Sequence, residues 1–235
     1  MPNNFTPTPF VFGLQDRNQI ALTFDDGPDD IYTAQILTLL KEYDAMASFF
    51  VVGQNVERRT SVVLETARLG HTICNHTFSH PDLASRTAEQ IRIELSTCAN
   101  AIHKAVGGFK ANGQYFRAPY GSMGGAVLDV ARGIGLTGVY WSANSEDYGQ
   151  DPADSPKPMP PDAILSRVCA AVESNSHGSI VLMHDGHPKS EAHMSWRRDR
   201  SATVMATKML LEKYSGLREF VALGADVGVI RAILQ

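Results

Sequence analysis

The sequence Ala21-Leu-Thr-Phe-Asp-Asp-Gly-Pro28 joins an apolar segment to two adjacent carboxylates and a Gly-Pro turn. Side chains on a strand point alternately to opposite faces, so Asp25 and Asp26 can share one site only where the strand has ended. Gly27 and Pro28 supply the turn that ends it. Such a pair could divide metal binding and proton transfer between its members. A capped βα turn with solvated acids is the plainer interpretation of this segment taken alone.

Length and composition are those of an ordinary soluble globular protein. The 235 residues are 43% hydrophobic and 20% charged, which suits one large domain, although the usual length of about 100–200 residues per domain also permits two. The formal net charge of -4 gives no electrostatic reason to expect a nucleic acid or an anionic membrane as partner. No apolar run is long enough to cross a bilayer, and the oligomeric state stays open.

The first residues and the cysteines bear on localisation. Met1–Phe10 has neither the basic start nor the apolar core of a signal peptide, so we expect a cytoplasmic protein, or a secreted one whose leader is missing from the sequence. Cys74, Cys98 and Cys169 lie far apart without C-x-x-C spacing. Such a set favours buried free thiols in a reducing compartment over disulfides or a zinc–thiolate site.

Short β-rich segments alternate with longer amphipathic ones along the chain. Strands are predicted at Ile20–Phe24, Ala47–Val52, His71–Cys74, Gln114–Arg117, Thr137–Ser142, Ser179–His184 and Glu219–Leu223. Helices are predicted at Tyr32–Tyr43, Thr60–Leu69, Thr87–Val106, Gly125–Gly133, Asp162–Glu173, Ala202–Ser215 and Asp226–Leu234. This alternation indicates an α/β fold of parallel strands with helical crossovers. About seven strands favour a complete or broken barrel over a doubly wound sheet.

Two segments have the composition of long loops. Gly149–Pro161 is too rich in proline for a helix or an inner strand, and Gly186–Arg200 is polar and basic with one tryptophan, Trp196. Long loops in a compact domain are often lids or binding loops. We predict that both flank the site and set substrate length. Solvated loops with one packed tryptophan are the alternative.

Reactive side chains recur at the carboxyl ends of the predicted strands. In a β/α barrel the βα loops converge on that face and form the active site. The residues concerned are Asp25, Asp26, His76, His80, Arg117, Tyr120, Asp147, His184 and Asp185. Any one of them could be a surface residue, but so many on one predicted face indicate a catalytic site.

A metal site is predicted from Asn75-His-Thr-Phe-Ser-His80. Pro81 biases His80 away from helical geometry, so the two histidines are placed on a tight turn. Two imidazoles with one carboxylate, Asp26, leave open positions on a divalent cation, as hydrolysis requires. Two histidines of a surface loop are the alternative, and Asp26 shifts the balance toward metal binding.

Two further groups suit acid–base chemistry. Arg117, at the end of a strand, could pair with Asp25 and hold it ionised, and the backbone N–H of Tyr120 could donate to an oxyanion. His184 ends a buried type of strand and is well placed to protonate a leaving amine, with Asp147 to orient it. A structural salt bridge for Arg117 and a satisfied structural histidine for His184 are the alternatives.

These motifs resemble those of the polysaccharide deacetylases, which form carbohydrate esterase family four and share the NodB-homology domain. The matching segments are Thr23-Phe-Asp-Asp-Gly-Pro28, His76-Thr-Phe-Ser-His80, Arg117-Ala-Pro-Tyr120 and Leu182-Met-His184. The resemblance covers about residues 20–225 and implies a single such domain over 1–235. It implies a distorted (β/α) barrel with the site in a groove at its top. The segment after His184 is similar to the chitooligosaccharide deacetylases of the family.

The resemblance also implies metal ligands and a base. Asp26, His76 and His80 would bind a divalent metal, most often zinc, with cobalt or nickel as options. Asp25 would be the general base that activates water, and Arg117 would be its partner.

The resemblance also implies a general acid and a pocket for the acyl group. His184 would be the general acid and Asp147 its orienter, while Leu182 would line the pocket for the acetyl methyl group. The Tyr120 N–H would stabilise the oxyanion. The implied reaction is hydrolysis of an N-acetyl group on an amino sugar, such as an N-acetylglucosamine oligosaccharide, with release of acetate.

One motif departs from the family pattern. The family often has Asp-x-x-Asp-Trp after the fifth strand, whereas this chain has Asn144-Ser-Glu-Asp-Tyr148. Asp147 is kept, and Tyr148 stands where the tryptophan would wall the acetyl pocket and could also stack on a sugar. The preferred acyl group therefore stays open. The alternatives are a hydrolase of non-sugar amides or O-acetyl sugars on the same scaffold, and a carbohydrate-binding relative without activity.

Overall fold

The structure is a computed structural model that describes residues 9–107, 114–149, 159–188, 199–224 and 227–233. Residues 150–158 and 189–198 make up most of the two predicted long loops. They lie outside the described residues, and so does Trp196. The predictions made for those loops stay predictions.

The centre of the fold is a sheet of parallel strands. Its strands are β2 Gln19–Asp25, β3 Ala47–Val51, β4 Thr72–Asn75, β5 Tyr115–Phe116, β6 Thr137–Gly138, β7 Ala143–Asn144, β8 Ser179–His184 and β9 Glu219–Phe220. Seven of them follow one another in the order β6-β5-β4-β3-β2-β8-β7, and β9 pairs with the start of β2. The sheet curls into a half-barrel, which confirms the α/β class and the distorted barrel.

Helices connect the strands and cover the outside of the sheet. Their bounds are α1 Tyr32–Glu42, α2 Gly53–Arg58, α3 Thr60–Arg68, α4 Ala88–Val106, α5 Gly125–Gly133, α6 Pro161–Ser174 and α7 Ser201–Tyr214. The side chain of Thr87 caps α4 by accepting from the backbone N–H of Gln90, whose own side chain accepts from the backbone N–H of Thr87. Across the described helices, none is long and apolar enough to cross a membrane.

Two sequence predictions are wrong. Asp226–Leu234 is predicted as a helix, but the chain forms strand β10 at Val229–Ile233, antiparallel to strand β1 at Pro9–Leu14. The β1 strand, which the sequence analysis missed, supplies the hydrogen bonds that decide the conformation of β10. Of the single strand predicted at Thr137–Ser142, only Thr137–Gly138 forms a strand, β6, and the next strand, β7, begins after Ser142 at the opposite edge of the sheet. Helix α2 was also missed.

The strand β2 lies between β3 and β8 and brings its carboxylates to the carboxyl edge of the sheet. Its register sets Asp25 beside Phe50 on β3 and beside His184 on β8. Phe24 packs with the helices on the outer side, whereas Ala21 packs with Phe50 and Cys74 on the inner side. Both faces of β2 are therefore fixed by apolar burial, and the residues at its end have little freedom.

The three cysteines are free and buried, as predicted. Burial raises the pKa of the Cys98 thiol to about 12 and raises that of Cys74 further. Thiols of this kind stay protonated and unreactive near neutral pH.

Candidate active site

The carboxyl ends of the strands enclose a cavity of about 280 Å³. Its walls are Asp25, Asp26, His76, His80, Ala118, Tyr120, Gly121, Trp141, Asn144, Tyr148, Leu182, His184 and Arg200. Eight of the ten site residues predicted from the sequence are in this set. The other two, Arg117 and Asp147, lie behind Asp25 and His184, and each makes a direct contact with the residue in front of it.

Asp26, His76 and His80 form a group that could hold a metal ion, and we call these three residues the metal group. Their candidate ligand atoms lie within 4.8 Å of one another, and all three side chains are buried. Oδ1 of Asp26 is 3.4 Å from Nε2 of His76 and 3.1 Å from Nε2 of His80. Two imidazole nitrogens and one carboxylate oxygen are the donor set of many hydrolytic metal sites. The residues therefore fit a divalent cation.

A contact behind His76 sets which ring nitrogen faces the metal group. Its Nδ1 lies 2.8 Å from the backbone oxygen of Arg117, and a carbonyl oxygen can only accept a hydrogen bond. Nδ1 therefore carries the proton, and Nε2 keeps its lone pair directed at Asp26. A backbone carbonyl in this place is a common support for a metal-binding histidine.

Asp26 is held in its charged form. Burial raises the pKa of this carboxyl, but the charge of His80 and the close contacts with the imidazoles of His80 and His76 outweigh burial and hold the pKa well below its usual range. An ionised carboxylate is the form that binds a cation. Among the described residues, its Oδ1 is buried without a hydrogen bond of normal geometry, which suits an atom reserved for a metal.

The candidate ligands Asp26 and His80 lie on turns with unusual backbone conformations. Asp26, Thr77 and His80 have φ angles of 74°, 67° and 61°, in the left-handed region that costs a non-glycine residue about 1–3 kcal/mol. Local hydrogen bonds hold the histidine turn. Asn75 Oδ1 accepts from the backbone N–H of Thr77, and Thr77 Oγ1 accepts from that of His80. The carboxylate of Glu94 on α4 takes three further bonds from the turn. The turn is non-helical, as the sequence suggested.

Asp25 pairs with Arg117 inside the protein. Nη1 of Arg117 is 2.7 Å from Oδ1 of Asp25, and both side chains are almost fully buried. The same guanidinium donates to Thr23 Oγ1 and to the backbone oxygens of Val139 and Tyr140. Because every part of this buried cation has a partner, it is rigid. The second oxygen of Asp25 faces the metal group, with Oδ2 at 3.8 Å from Nε2 of His76.

His184 and Asp147 form a second charged pair across the cavity. Nδ1 of His184 lies 2.7 Å from Oδ1 of Asp147, and Oδ2 accepts from the backbone N–H of His184. Oγ1 of Thr203 and Oγ of Ser145 also donate to this carboxylate, at 2.7 and 3.0 Å. Burial disfavours the charged form of both groups, but the attraction and the hydrogen bond between them outweigh the effect of burial. The pKa of His184 is raised and that of Asp147 is lowered.

The comparisons with known proteins agree with this geometry. A sequence model of the family Polysaccharide deacetylase matches residues 13–139. The chain belongs to the polysaccharide deacetylase family. It is 33% identical to a chitooligosaccharide deacetylase of Azorhizobium caulinodans over 84% of this chain and 88% of that one. It is 34% identical to a peptidoglycan-N-acetylglucosamine deacetylase of Bacillus cereus over 87% of this chain and 86% of that one.

Solved structures give the same result. The Bc1960 peptidoglycan N-acetylglucosamine deacetylase superposes with a TM-score of 0.75 at 28% identity, over 91% of this chain and 89% of that one. A family 4 carbohydrate esterase from Streptomyces lividans, solved with acetate, superposes with a TM-score of 0.67 at 26% identity, over 87% and 97%. The predicted family, and the predicted class of hydrolases acting on amide bonds, are confirmed.

Aromatic rings form the rim of the site in this polysaccharide deacetylase. The ring of Tyr120 lies edge-on to His80 with centroids 4.9 Å apart, and the ring of Tyr148 lies edge-on to His184 at 5.6 Å. The side chains of Tyr120 and Tyr148 are 62% and 37% exposed. Both rings could therefore meet a sugar that enters the cavity. Leu182, which is buried, also lines the cavity.

The sequence analysis did not identify Trp141 as a residue of the site. It lines the cavity, and a side chain at Gly121 would lie 3.1 Å from its ring, so the glycine lets the two segments approach closely. Gly121 also has a φ of 68°, which favours glycine. Trp141 lies within the segment predicted as one strand, and in the structure it falls between β6 and β7, outside both strands.

Thr203, Ser145 and Asp185 were also not assigned roles. The first two hold Asp147, as described above. Asp185 is fully buried beside His184 and accepts a hydrogen bond from Thr33 Oγ1 at 2.6 Å. Burial raises the pKa of Asp185 to about 7. The feature of the sequence that could have identified Asp185 is its position directly after His184.

The pair of His184 and Asp147 predicts how stability depends on pH. Because the folded protein raises the pKa of His184, the pair's contribution is complete below the ordinary value of 6.5 and is lost as pH rises through the raised pKa. Because the pKa of Asp147 is lowered, the contribution is complete above 3.8 and is lost as pH falls through the lowered pKa.

We therefore expect metal-free His184→Gln protein to have a lower free energy of unfolding than the metal-free parent. The difference should be largest between about pH 4 and 6.5. The difference in free energy of unfolding should shrink as pH rises further, and urea unfolding at several pH values measures it. A difference that stays constant up to pH 9 would contradict the charged pair.

Proposed function

We propose that this chain hydrolyses the N-acetyl groups of N-acetylglucosamine oligosaccharides and releases acetate. One observation carries the proposal. Asp25, the three-residue metal group and His184 open into one cavity, which supplies a base, a cation site and an acid for the same substrate atom. The relatives named above, a chitooligosaccharide deacetylase and a peptidoglycan-N-acetylglucosamine deacetylase, support the choice of substrate.

We assign the cation site to Asp26, His76 and His80 and propose zinc as its native ion. Mixed imidazole and carboxylate ligation suits zinc, and cobalt and nickel also accept imidazole nitrogen. A divalent cation bound there supplies Lewis acidity toward water and toward the acyl oxygen.

Asp25 acts as the general base in this mechanism. Its Oδ2 faces the metal group, and its Oδ1 is bound to Arg117, so the free oxygen is the one available to take a proton from water. Arg117 fixes the orientation of the Asp25 carboxylate through this contact. The loss of this proton lets the water oxygen form a bond to the acyl carbon.

His184 acts as the general acid. Its Nδ1 faces Asp147, so Nε2 carries the proton that can be transferred. When the C–N bond of the amide breaks, that proton goes to the leaving nitrogen, and the sugar amine departs. The carboxylate of Asp147 stabilises the protonated imidazole before transfer and sets the orientation of the ring.

Tyr120, Leu182 and Tyr148 bind the acyl group in this proposal. Tyr120 lines the cavity on the turn after Arg117, where its φ is 58°, and we assign its backbone N–H to the oxyanion. Leu182 contacts the acetyl methyl. Tyr148, in place of the usual tryptophan, closes the side of the pocket next to His184.

The test is acetate release from a panel of acetylated sugars, with mass spectrometry to identify the product and the position deacetylated. N-acetylglucosamine oligomers are expected to lose acetyl groups. Dialysis against a chelator should abolish the activity, and zinc or cobalt should restore it. Magnesium is the matched control because it prefers oxygen ligands, and we expect no recovery with it.

Two results would count against the proposal. Full activity after complete removal of metal would reject the cation site. Acetate release from peptidoglycan fragments or O-acetyl sugars alone would reject the substrate, and no release from any sugar would reject the activity.

A further inference from the structure

The short helix α2 joins the two turns that carry the metal group. The backbone N–H of Val52, just before the helix, donates to the oxygen of Gly27 at 2.9 Å. Those of Gly53 and Gln54 donate to the oxygens of Thr77 and Phe78 at 3.0 and 2.9 Å. The first contact holds the turn after Asp26, and the others hold the turn between His76 and His80. The N-terminus of α2 therefore fixes the distance between the ligands.

The side chain of Asn55 extends this connection to a third loop. Its Nδ2 donates to the backbone oxygen of Asp26 at 2.9 Å and to that of His187 at 3.0 Å. His187 lies three residues after His184 on the loop that leaves β8. Asn55 is only 3% exposed, so water cannot replace these bonds easily. One amide group thus uses both of its N–H donors on two different loops.

The two loops touch through their backbones at this point. A side chain on Gly186 would lie 2.5 Å from the oxygen of Asp26 and 2.7 Å from Cα of Gly27. Asp26 itself has a left-handed φ of 74°. A ligand in a conformation of this kind needs outside contacts to hold it. The bond from Asn55 is made to the carbonyl of that same residue.

We propose that Asn55 is a positioning residue that fixes the metal ligand Asp26 and the acid His184 relative to each other. It acts through two backbone carbonyls and touches neither substrate nor cation. Asparagine fits this role because its amide has two N–H donors on a short, stiff side chain. Aspartate offers no donor when ionised, and alanine removes both bonds. The inference rests on the proposed function, because that proposal assigns His184 as the general acid.

The test compares Asn55→Ala and Asn55→Asp with Glu57→Ala, an exposed position in the same helix. Cobalt affinity is measured by titration with the absorption of the bound ion as readout. Turnover is measured on an N-acetylglucosamine oligomer and on an aryl acetate ester, whose leaving group needs no proton. We expect the Asn55 variants to bind cobalt about 10–100-fold more weakly and to lose more amide than ester hydrolysis. Glu57→Ala should match the parent.

Two outcomes would overturn the inference. The first is cobalt affinity equal to that of the parent with only a lower melting temperature, because Asn55 would then be purely structural. The second is weaker cobalt binding with amide and ester hydrolysis reduced equally, because the loop of His184 would then be unaffected. If Asn55→Ala does not fold, Asn55→Ser, which keeps one donor, is measured against the same expectations. The cobalt titration needs no substrate, so it also separates this inference from a failure of the proposed activity.

Discussion

Replacing Asp25 with asparagine is expected to lower kcat for N-acetylglucosamine oligomers by about 100- to 10,000-fold, the usual contribution of a general base. The amide has nearly the shape of the carboxylate but cannot take a proton from water. Asp26, His76 and His80 are unchanged, so bound cobalt should stay at one ion per chain. The prediction is therefore loss of turnover with metal retained, measured by single-turnover kinetics and metal analysis of the same sample.

The change also leaves the buried Arg117 without its counter-charge. Removing one partner of a buried ion pair costs about 3–5 kcal/mol, so a lower melting temperature should accompany the loss of turnover. Arg117 keeps its bonds to Thr23 and to the backbone, and we expect the fold to survive. Turnover is compared at a temperature where both proteins are folded.

Asp30→Asn is the control for Asp25→Asn. Asp30 is an exposed aspartate near the same turn, and its carboxylate pairs with Arg59 on the surface. Its replacement should leave kcat and stability near the parent values, since surface pairs contribute about 0–1 kcal/mol. Unchanged kcat in Asp25→Asn would reject Asp25 as the base. Loss of cobalt would show that Asp25 is a ligand instead.

The parallel strands could be predicted because the apolar composition of each segment indicates that it is buried. Ser179–His184 is predicted with the bounds that the structure has, since its residues are apolar and buried on both faces up to the reactive tip. The end of β2, where apolar residues give way to Asp25 and Asp26, is predicted to within one residue, at Phe24 instead of Asp25. In a parallel sheet these ends meet at one edge, so strand prediction alone brings the candidate catalytic residues together.

Local composition fails where distant residues decide the conformation. Strand β10 has an amphipathic pattern that also suits a helix, and it becomes a strand because β1, more than 200 residues earlier, pairs with it. Helix α2 is only six residues long, too short for a periodic pattern, and bonds to Gly27, Thr77 and Phe78 support its start. Neither partner can be identified from the segment itself.

The same limit applies to the second layer of the site. Charged and imidazole side chains after strands are visible in the sequence, whereas Thr203, Ser145 and Asn55 are single polar residues without a pattern. Each acts through one or two hydrogen bonds made across the fold. Thr203 is 56 residues from Asp147 in sequence, and only the packing of α7 against the sheet brings the two together. Residues of this kind can be identified only from the folded structure.

Replacing His184 with glutamine is expected to reduce hydrolysis of N-acetyl amides by about 100- to 10,000-fold and to affect an aryl acetate ester much less. An amine leaves only after it is protonated, and Nε2 of His184 is the proton source in the proposed mechanism. An aryl oxide leaves without a proton. Asp147 keeps its bonds to Thr203 and Ser145, so the pocket should hold its shape. Steady-state kinetics with both substrates give the ratio of amide to ester turnover.

The matched control is His103→Gln, which removes an exposed imidazole on α4 away from the cavity. It should leave both activities at the parent level. Equal losses of amide and ester hydrolysis in His184→Gln would contradict a role as acid and would point to the binding of water or of the oxyanion. If Asn55 acts through the loop of His184, then Asn55→Ala should lower the ratio of amide to ester turnover in the parent. It should not lower that ratio further in the His184→Gln background, because the proton source is already gone.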